Sequence, residues 1–350
     1  MPQEPVSHCS RLFPFPVSRV FVVKRQGQRD EILLSTTGTS VMSRWSVLGS
    51  GVAGLCVATL LAEHGESIEV ISDDDCRPAS HWAGGMLAPW CEAESAPAEV
   101  IAWGQHAAAW WAKRIDGVAH NGTLVIAPPR DSQELIRFAS MTSGHQWITP
   151  SEIEPALENR FARGLFFAGE AHLDPRVAMQ QLRHDLQQAD VKFHNGKPSG
   201  QIIDCRGIHA ADAQPELRAV RGEMLILHSD EVHLSRPVRL LHPRFPCYLV
   251  PRASGRFMLG ATMVESHDDS PISARAMMEL LSAAYTLHPA LAEARVLESG
   301  TGLRPAYRHN LPEVRYEQGI FSLNGLYRHG FLLAPIMAEK LLQLLTQETM

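Results

Sequence analysis

The short apolar run Trp45-Ser46-Val47-Leu48 leads directly into Gly49-Ser50-Gly51-Val52-Ala53-Gly54, and few local patterns restrict a fold as sharply. From Val52 to His64 the chain reads as a helix, with Leu55, Ala58, Thr59 and Ala62 on one side and Gly65 as a stop. Ile68-Glu69-Val70-Ile71 follows as a second strand. Strand, GxGxxG, helix and strand within about 30 residues is the context in which these glycines carry meaning. Gly49 makes the tight turn, Gly51 lets the backbone approach a pyrophosphate, and Gly54 lets the helix pack closely on the strand. The helix start at Val52 and Ala53 offers unpaired N–H groups and a positive dipole end to phosphates. The expectation is a Rossmann-like α/β unit that holds a dinucleotide.

A carboxylate commonly ends the second strand of such a unit and bonds the ribose. Here Ser72 stands in that place and Asp73 follows it. Either could serve the ribose, and Asp73-Asp74-Asp75 could equally be a solvated turn.

At 350 residues the chain is long enough for one large or two closely joined domains. A net charge of −6 gives no push toward nucleic acid or an anionic membrane surface. No apolar run reaches the roughly 18 residues of a bilayer span. The six cysteines are scattered without a CxxC pair, and the 17 histidines show no HxH or HExxH spacing. No metal site or disulfide framework is expected, and a reducing cytoplasm is the default setting. Residues 1–41 are Pro-bearing and weakly periodic, and Met42 sits just before a clean strand start. The expectation is a disordered extension or a misassigned start.

The next segment distinguishes between nucleotide cofactors. Ala79-Ser80-His81-Trp82-Ala83-Gly84-Gly85-Met86-Leu87-Ala88-Pro89 is small, glycine-bearing and apolar, suited to wrapping a flat ring system and a phosphate chain. Further along come Leu173-Asp174-Pro175-Arg176, Val220-Arg221-Gly222-Glu223, Tyr248-Leu249-Val250-Pro251-Arg252 and Gly260-Ala261-Thr262. Near the end stand Gly302-Leu303-Arg304-Pro305-Ala306, Asn310-Leu311-Pro312 and Tyr327-Arg328-His329-Gly330-Phe331-Leu332-Leu333-Ala334-Pro335. In these motifs, and in their order from Arg44 to the end, the sequence resembles the D-amino-acid-oxidase-like flavoproteins, most closely the glycine oxidases of thiamine biosynthesis. It departs from them at His309, where an acid is usual, in the short stretch from Val191 to Gln201, and at Asp204-Cys205-Arg206-Gly207. These departures fall on the adenine side.

The resemblance implies FAD as cofactor, a small amino acid as substrate, dioxygen as acceptor, and the thiazole-forming enzyme as a partner. It implies that Arg304 binds the substrate carboxylate, and a planar, bidentate guanidinium suits that task. From position alone Arg304 would read as an exposed loop cation after a strand Arg295–Ser299 and a Gly-rich turn. Tyr248 is implied to hydrogen-bond the same carboxylate. Arg328 is implied to present its carbonyl to the substrate amine, with Tyr327, His329, Gly330, Phe331 and Leu332 around the flavin. Ser80, Gly84, Gly85 and Met86 are the cofactor contacts on the other side. Glu92 or Glu94 could lie near the pocket, but both read better as exposed loop acids. Pro335 reads as the first turn of a last helix whose start would face the reduced flavin.

The organisation expected is two interleaved parts. An FAD-binding domain takes 42–90, 150–215 and 300–350. A smaller α+β substrate domain on an antiparallel-rich sheet takes 91–149 and 216–299, with one long helix over Ala98–Arg114 and another over Ile272–Tyr285. Three readings of function stand: glycine oxidase, a dehydrogenase of another small amine with a different acceptor, and a flavin-binding partner without turnover. Homo-oligomerisation is left open.

Overall fold

The computed structural model describes residues 44–73, 77–241 and 247–348. The expectation for residues 1–41 lies outside the described residues. Two sheets organise the chain. The smaller has six strands in the order Glu313–Glu317, Ile320–Asn324, Gln201–Asp204, Arg44–Leu48, Ser67–Ile71 and Lys192–His194. All neighbours in it are parallel except the first pair. Helix Val52–Glu63 links the fourth and fifth of these strands, and Gly65, whose φ of +76° is the left-handed stop expected, follows two residues after its end. That helix packs against the last one, Gly330–Glu348, over a core that includes Val47, Leu55, Leu61, Leu333 and Leu341.

The larger sheet has nine strands, mostly antiparallel. Strands Arg218–His228, Cys247–Arg252 and Arg256–Gly260 form its centre, with helix Ala274–Leu287 packed on one face. Burial is nearly continuous along Arg218–His228 and Arg256–Gly260, as expected of strands covered on both faces. Two of its strands, Gly164–Phe167 and Arg295–Ala306, come from stretches that the sequence divides, wholly or in part, to the nucleotide side.

Three local expectations are corrected. The Gly-rich turn before Arg304 is not a turn, because Gly300 and Gly302 lie inside strand Arg295–Ala306. A Cβ on Gly300 would fall 2.1 Å from the Trp82 ring, so the bare backbone there is what lets the indole lie against the strand. The single helix over Ala98–Arg114 is two helices, Ala98–Gly104 and Ala107–Ala112. Gly104 marks the break, and a Cβ there would meet the Leu332 side chain at 2.8 Å.

The last helix starts at Gly330, not at Pro335, which lies inside it. A proline within a helix leaves the carbonyl four residues earlier without its donor. That carbonyl belongs to Phe331, and the buried Trp111 indole N–H donates to it at 2.8 Å. A tertiary contact thus satisfies the group that local rules leave bare, and the helix begins five residues closer to the Tyr327–His329 loop.

Candidate active site

Between the sheets runs a cavity of about 1500 Å³. At one end it is lined by Leu48, Gly49, Ile71, Ser72, Cys205, Arg206, Leu323 and Asn324, the carboxyl ends of four parallel strands and the residues that follow them. Open α/β sheets bind ligands at this edge, where the strand order reverses. Gly49 has φ of +99°, and a Cβ there would fall 2.7 Å from the Cys205 carbonyl oxygen. Gly51, Val52, Ala53 and Ser80 also line the cavity. Gly54 does not; it lies under the turn, where a Cβ would stand 1.9 Å from the Gly49 carbonyl oxygen.

The Val52 amide donates to Ser80 Oγ at 3.1 Å. Its N–H is therefore used by the protein, and the Ser80 hydroxyl hydrogen can be turned toward the cavity. Ser72 and Asp73 both line it, and Ser72 Oγ is buried without a hydrogen-bond partner among the described residues. The short Val191–Gln201 stretch still reaches the cavity through Gly196, Lys197 and Pro198. Glu69 explains how: its carboxylate accepts from Ser199 N at 2.7 Å, Ser199 Oγ at 2.6 Å and Ser46 Oγ at 2.6 Å, pinning the loop. Burial works to raise the Glu69 pKa, but these hydrogen bonds outweigh it and hold the carboxyl at about 2.

Gly84, Gly85 and Met86 form a second wall. Gly85, with φ of +73°, has no room for a Cβ, which would meet the Leu173 carbonyl oxygen at 2.3 Å. Leu173 N donates to Gly85 O at 2.9 Å, and Arg252 donates to Gly84 O at 2.6 Å and to Leu173 O at 2.8 Å. The Leu173–Arg176 and Tyr248–Arg252 motifs thus clasp this strip. Tyr327, Arg328, His329, Gly330, Phe331 and Leu332 line the cavity too. The N-terminus of the last helix opens into the same space. His329 is buried, and burial lowers its pKa to about 4, so it is neutral at pH 7.

Arg304 lies on the cavity wall and donates from Nη1 to Thr262 O at 3.1 Å. Among the described residues no carboxylate pairs with it. Burial brings its pKa down to about 10, still charged at neutral pH.

Tyr248, Arg328 and Glu92 form one network. Tyr248 donates to Glu92 Oε1 at 2.9 Å, and Arg328 Nη2 lies 2.5 Å from Glu92 Oε2. Glu92 and Glu94 are therefore not exposed loop acids. Glu92 is 9% exposed and lines the cavity, while Glu94 pairs with the buried Arg239. Sequence position hid this, because only the returning strands at 239 and 248 and the loop at 328 supply the partners. Burial pushes the Glu92 pKa up, but Arg328, His329, Arg239 and the Tyr248 hydroxyl outweigh it and hold it at about 2.

A folded pKa below the unfolded value contributes stability that is complete above the unfolded pKa and lost as pH falls through the folded one. The Glu92 contribution is thus present above about pH 4.5 and lost toward pH 2. Urea melts of Glu92→Gln are expected to lose about 3–5 kcal/mol at pH 7, the cost of leaving one partner of a buried pair alone. They should also show a shallower loss than the parent between pH 4.5 and 2. Parallel pH profiles would count against the network.

A glycine-tight turn under a helix start, an unsatisfied hydroxyl after the second parallel strand, and a second helix start on a cavity that also holds a half-buried cation are the features of a class: dinucleotide-binding α/β proteins with a charged cleft. A family model described as FAD dependent oxidoreductase matches residues 44–344. The chain belongs to this family, and FAD is its cofactor. A thiamine biosynthesis oxidoreductase, ThiO, of Rhizobium etli is 50% identical over 315 residues, covering 86% of this chain and 96% of that protein. The bifunctional protein ThiO/ThiG of Synechocystis is 24% identical, and the match spans 86% of this chain and 51% of that longer protein. The crystal structure of glycine oxidase from Geobacillus kaustophilus superposes with a TM-score of 0.75 at 21% identity, over 87% of this chain and 95% of that one. The α/β architecture expected from the sequence is thereby that of known oxidases. Among the described residues no helix is long and apolar enough to cross a membrane.

Proposed function

We propose that this chain oxidises a small amino acid, glycine foremost, with FAD as cofactor and dioxygen as acceptor. The products would be the imine, or glyoxylate and ammonia after hydrolysis, and hydrogen peroxide. The observation that carries this reading is Arg304: a charged guanidinium on the cavity wall with no carboxylate partner among the described residues. A half-buried cation drawn partly out of water gains from a partner. A substrate carboxylate supplies the missing charge in the bidentate geometry that a guanidinium favours.

The residues fit FAD on these grounds. We assign Gly49, Gly51, Ala53 and Ser80 to the pyrophosphate, with Val52 acting through Ser80, and Gly54 to the packing beneath. Ser72 or Asp73 takes the ribose. Gly84, Gly85 and Met86 on one side, and Tyr327 to Leu332 on the other, enclose the ring. Held there, FAD would supply the hydride acceptor for the substrate carbon. The protein's part is positioning. Arg304 fixes the carboxylate, and the walls exclude water. The sequence-based role of Tyr248 as donor to that carboxylate is revised in this proposal. Its single hydroxyl hydrogen is engaged by ionised Glu92, so Tyr248 turns an acceptor lone pair toward the substrate amine. Glu92 holds both Tyr248 and the Arg328 side chain.

The interleaved organisation, 42–90, 150–215 and 300–350 for FAD and 91–149 and 216–299 for substrate, is part of the same proposal, with Gly164–Phe167 and the Arg304 strand crossing into the larger sheet. So is a cytoplasmic setting. Supply of the imine to the thiazole-forming enzyme is supported by the fused ThiO/ThiG relative.

The test is anaerobic mixing of the FAD-loaded protein with glycine, sarcosine, alanine and proline while the flavin absorbance is followed. Bleaching by glycine or sarcosine is expected, with peroxide formed on readmitting air. Bleaching that air does not reverse would point to a dehydrogenase. A yellow protein that no amine bleaches would leave only a flavin-binding partner.

A further inference from the structure

The motif Val220-Arg221-Gly222-Glu223 stands outside the roles assigned above. It lies in strand Arg218–His228, antiparallel to the strand carrying Arg304, with Val220 opposite Arg304 and Gly222 opposite Gly302. Gly222 is therefore the diagonal neighbour of Arg304 on the same face, within reach of a long side chain. A Cβ on Gly222 would stand 2.1 Å from Arg304 Nη2, 2.3 Å from Cζ and 2.4 Å from Nη1. Three atoms of one planar group at such distances mean that the guanidinium lies flat on the bare Gly222 backbone.

The guanidinium is also held at its edge. Nη1 donates to the Thr262 carbonyl at 3.1 Å. Thr262 is latched to Glu223: Thr262 N donates to Glu223 O at 3.1 Å, Thr262 Oγ1 donates to Glu223 Oε2 at 2.8 Å, and Glu223 N donates to Thr262 Oγ1 at 2.8 Å. Glu223 is anchored in turn by Arg221 at 3.0 Å and by Ser273 N at 2.9 Å.

We propose that Gly222 is the positioning residue for the Arg304 guanidinium, its missing side chain setting how deeply a carboxylate is held, with Glu223 fixing the edge through Thr262; this rests on Arg304 being the carboxylate clamp. Arg221 balances the charge of the latch. The three atoms nearest to a methyl at 222 all belong to the free end of a side chain. The sheet can therefore persist while the guanidinium is pushed into the cavity.

The experiment uses FAD-loaded Gly222→Ala, Arg304→Ala and the double variant. Acetate, a bare carboxylate, is titrated anaerobically by its perturbation of the flavin spectrum, and glycine is titrated in steady state. Gly222→Ala is expected to weaken acetate and raise the half-saturating glycine concentration roughly ten- to a hundredfold, the scale of displaced charge-assisted hydrogen bonds. FAD content and melting temperature should match the parent. In the Arg304→Ala background the same change should add nothing, a non-additivity that a purely structural role would not produce.

Parent-like titrations by Gly222→Ala beside an impaired Arg304→Ala would overturn the proposal, as would additive effects in the double variant. A parent-like Arg304→Ala would instead remove the clamp itself. Should Gly222→Ala fail to fold, the double variant decides. Recovery once the guanidinium is gone supports the proposal; continued misfolding places Gly222 in the sheet and ends it.

Discussion

Arg304→Ala is expected to raise the half-saturating concentration of glycine by on the order of a hundred- to a thousandfold while FAD stays bound. Truncating one partner of a buried charge pair costs about 2–5 kcal/mol, and each 1.4 kcal/mol is about tenfold in affinity. The alanine variant has a second signature. In the free protein the guanidinium is charged, half-buried and held by one carbonyl at 3.1 Å, with no carboxylate among the described residues. A residue kept for function at the expense of stability is expected at such a place. The melting temperature of Arg304→Ala should therefore equal or exceed that of the parent. A variant that loses stability and keeps its glycine affinity would identify Arg304 as a structural cation instead.

Gly54→Ala should act at the other end of the cavity, and in the opposite way. It is expected to yield protein with little or no FAD and a clearly lower melting temperature. A Cβ at this position would stand 1.9 Å from the Gly49 carbonyl oxygen and 3.4 Å from Val47. The near obstacle is backbone, not a free side-chain end, so the helix must move off the strand. Overpacking of this kind costs about 1–3 kcal/mol, and the displaced turn forfeits the stabilisation that FAD gives the folded state. The ratio of flavin to protein absorbance after purification, with thermal melts with and without added FAD, is the check. A yellow variant of parental stability would mean that the turn and helix are looser than their packing implies. The contrast with Gly222 is physical: both glycines face a sub-contact gap, but one faces backbone and the other a movable guanidinium.

The nucleotide end was legible because its signal is local. Strand, glycine turn and helix are contiguous, and the observed helix Val52–Glu63 ends one residue before the expected His64. The cavity wall at Gly84–Met86 and the loop at Tyr327–Leu332 were likewise contiguous stretches, reached through resemblance. Glu92 was misread because nothing within its own segment reveals its partners. Arg328, His329, Arg239 and Tyr248 come from positions more than a hundred residues away. Pro335 was misplaced for a related reason: the rule that proline breaks a helix assumes that no distant donor will serve the freed carbonyl, and Trp111 does.

By itself, then, the amino-acid order determined the chain's cofactor class and the positions of its glycine turns, since each depends on backbone freedom or residue chemistry at short range. Which acid is buried, where the last helix begins and how the Arg304 guanidinium is seated were decided only by tertiary structure. Burial and long-range pairing set the energy of a charged or hydrogen-bonding group, and both exist only once the two sheets have closed on the cavity.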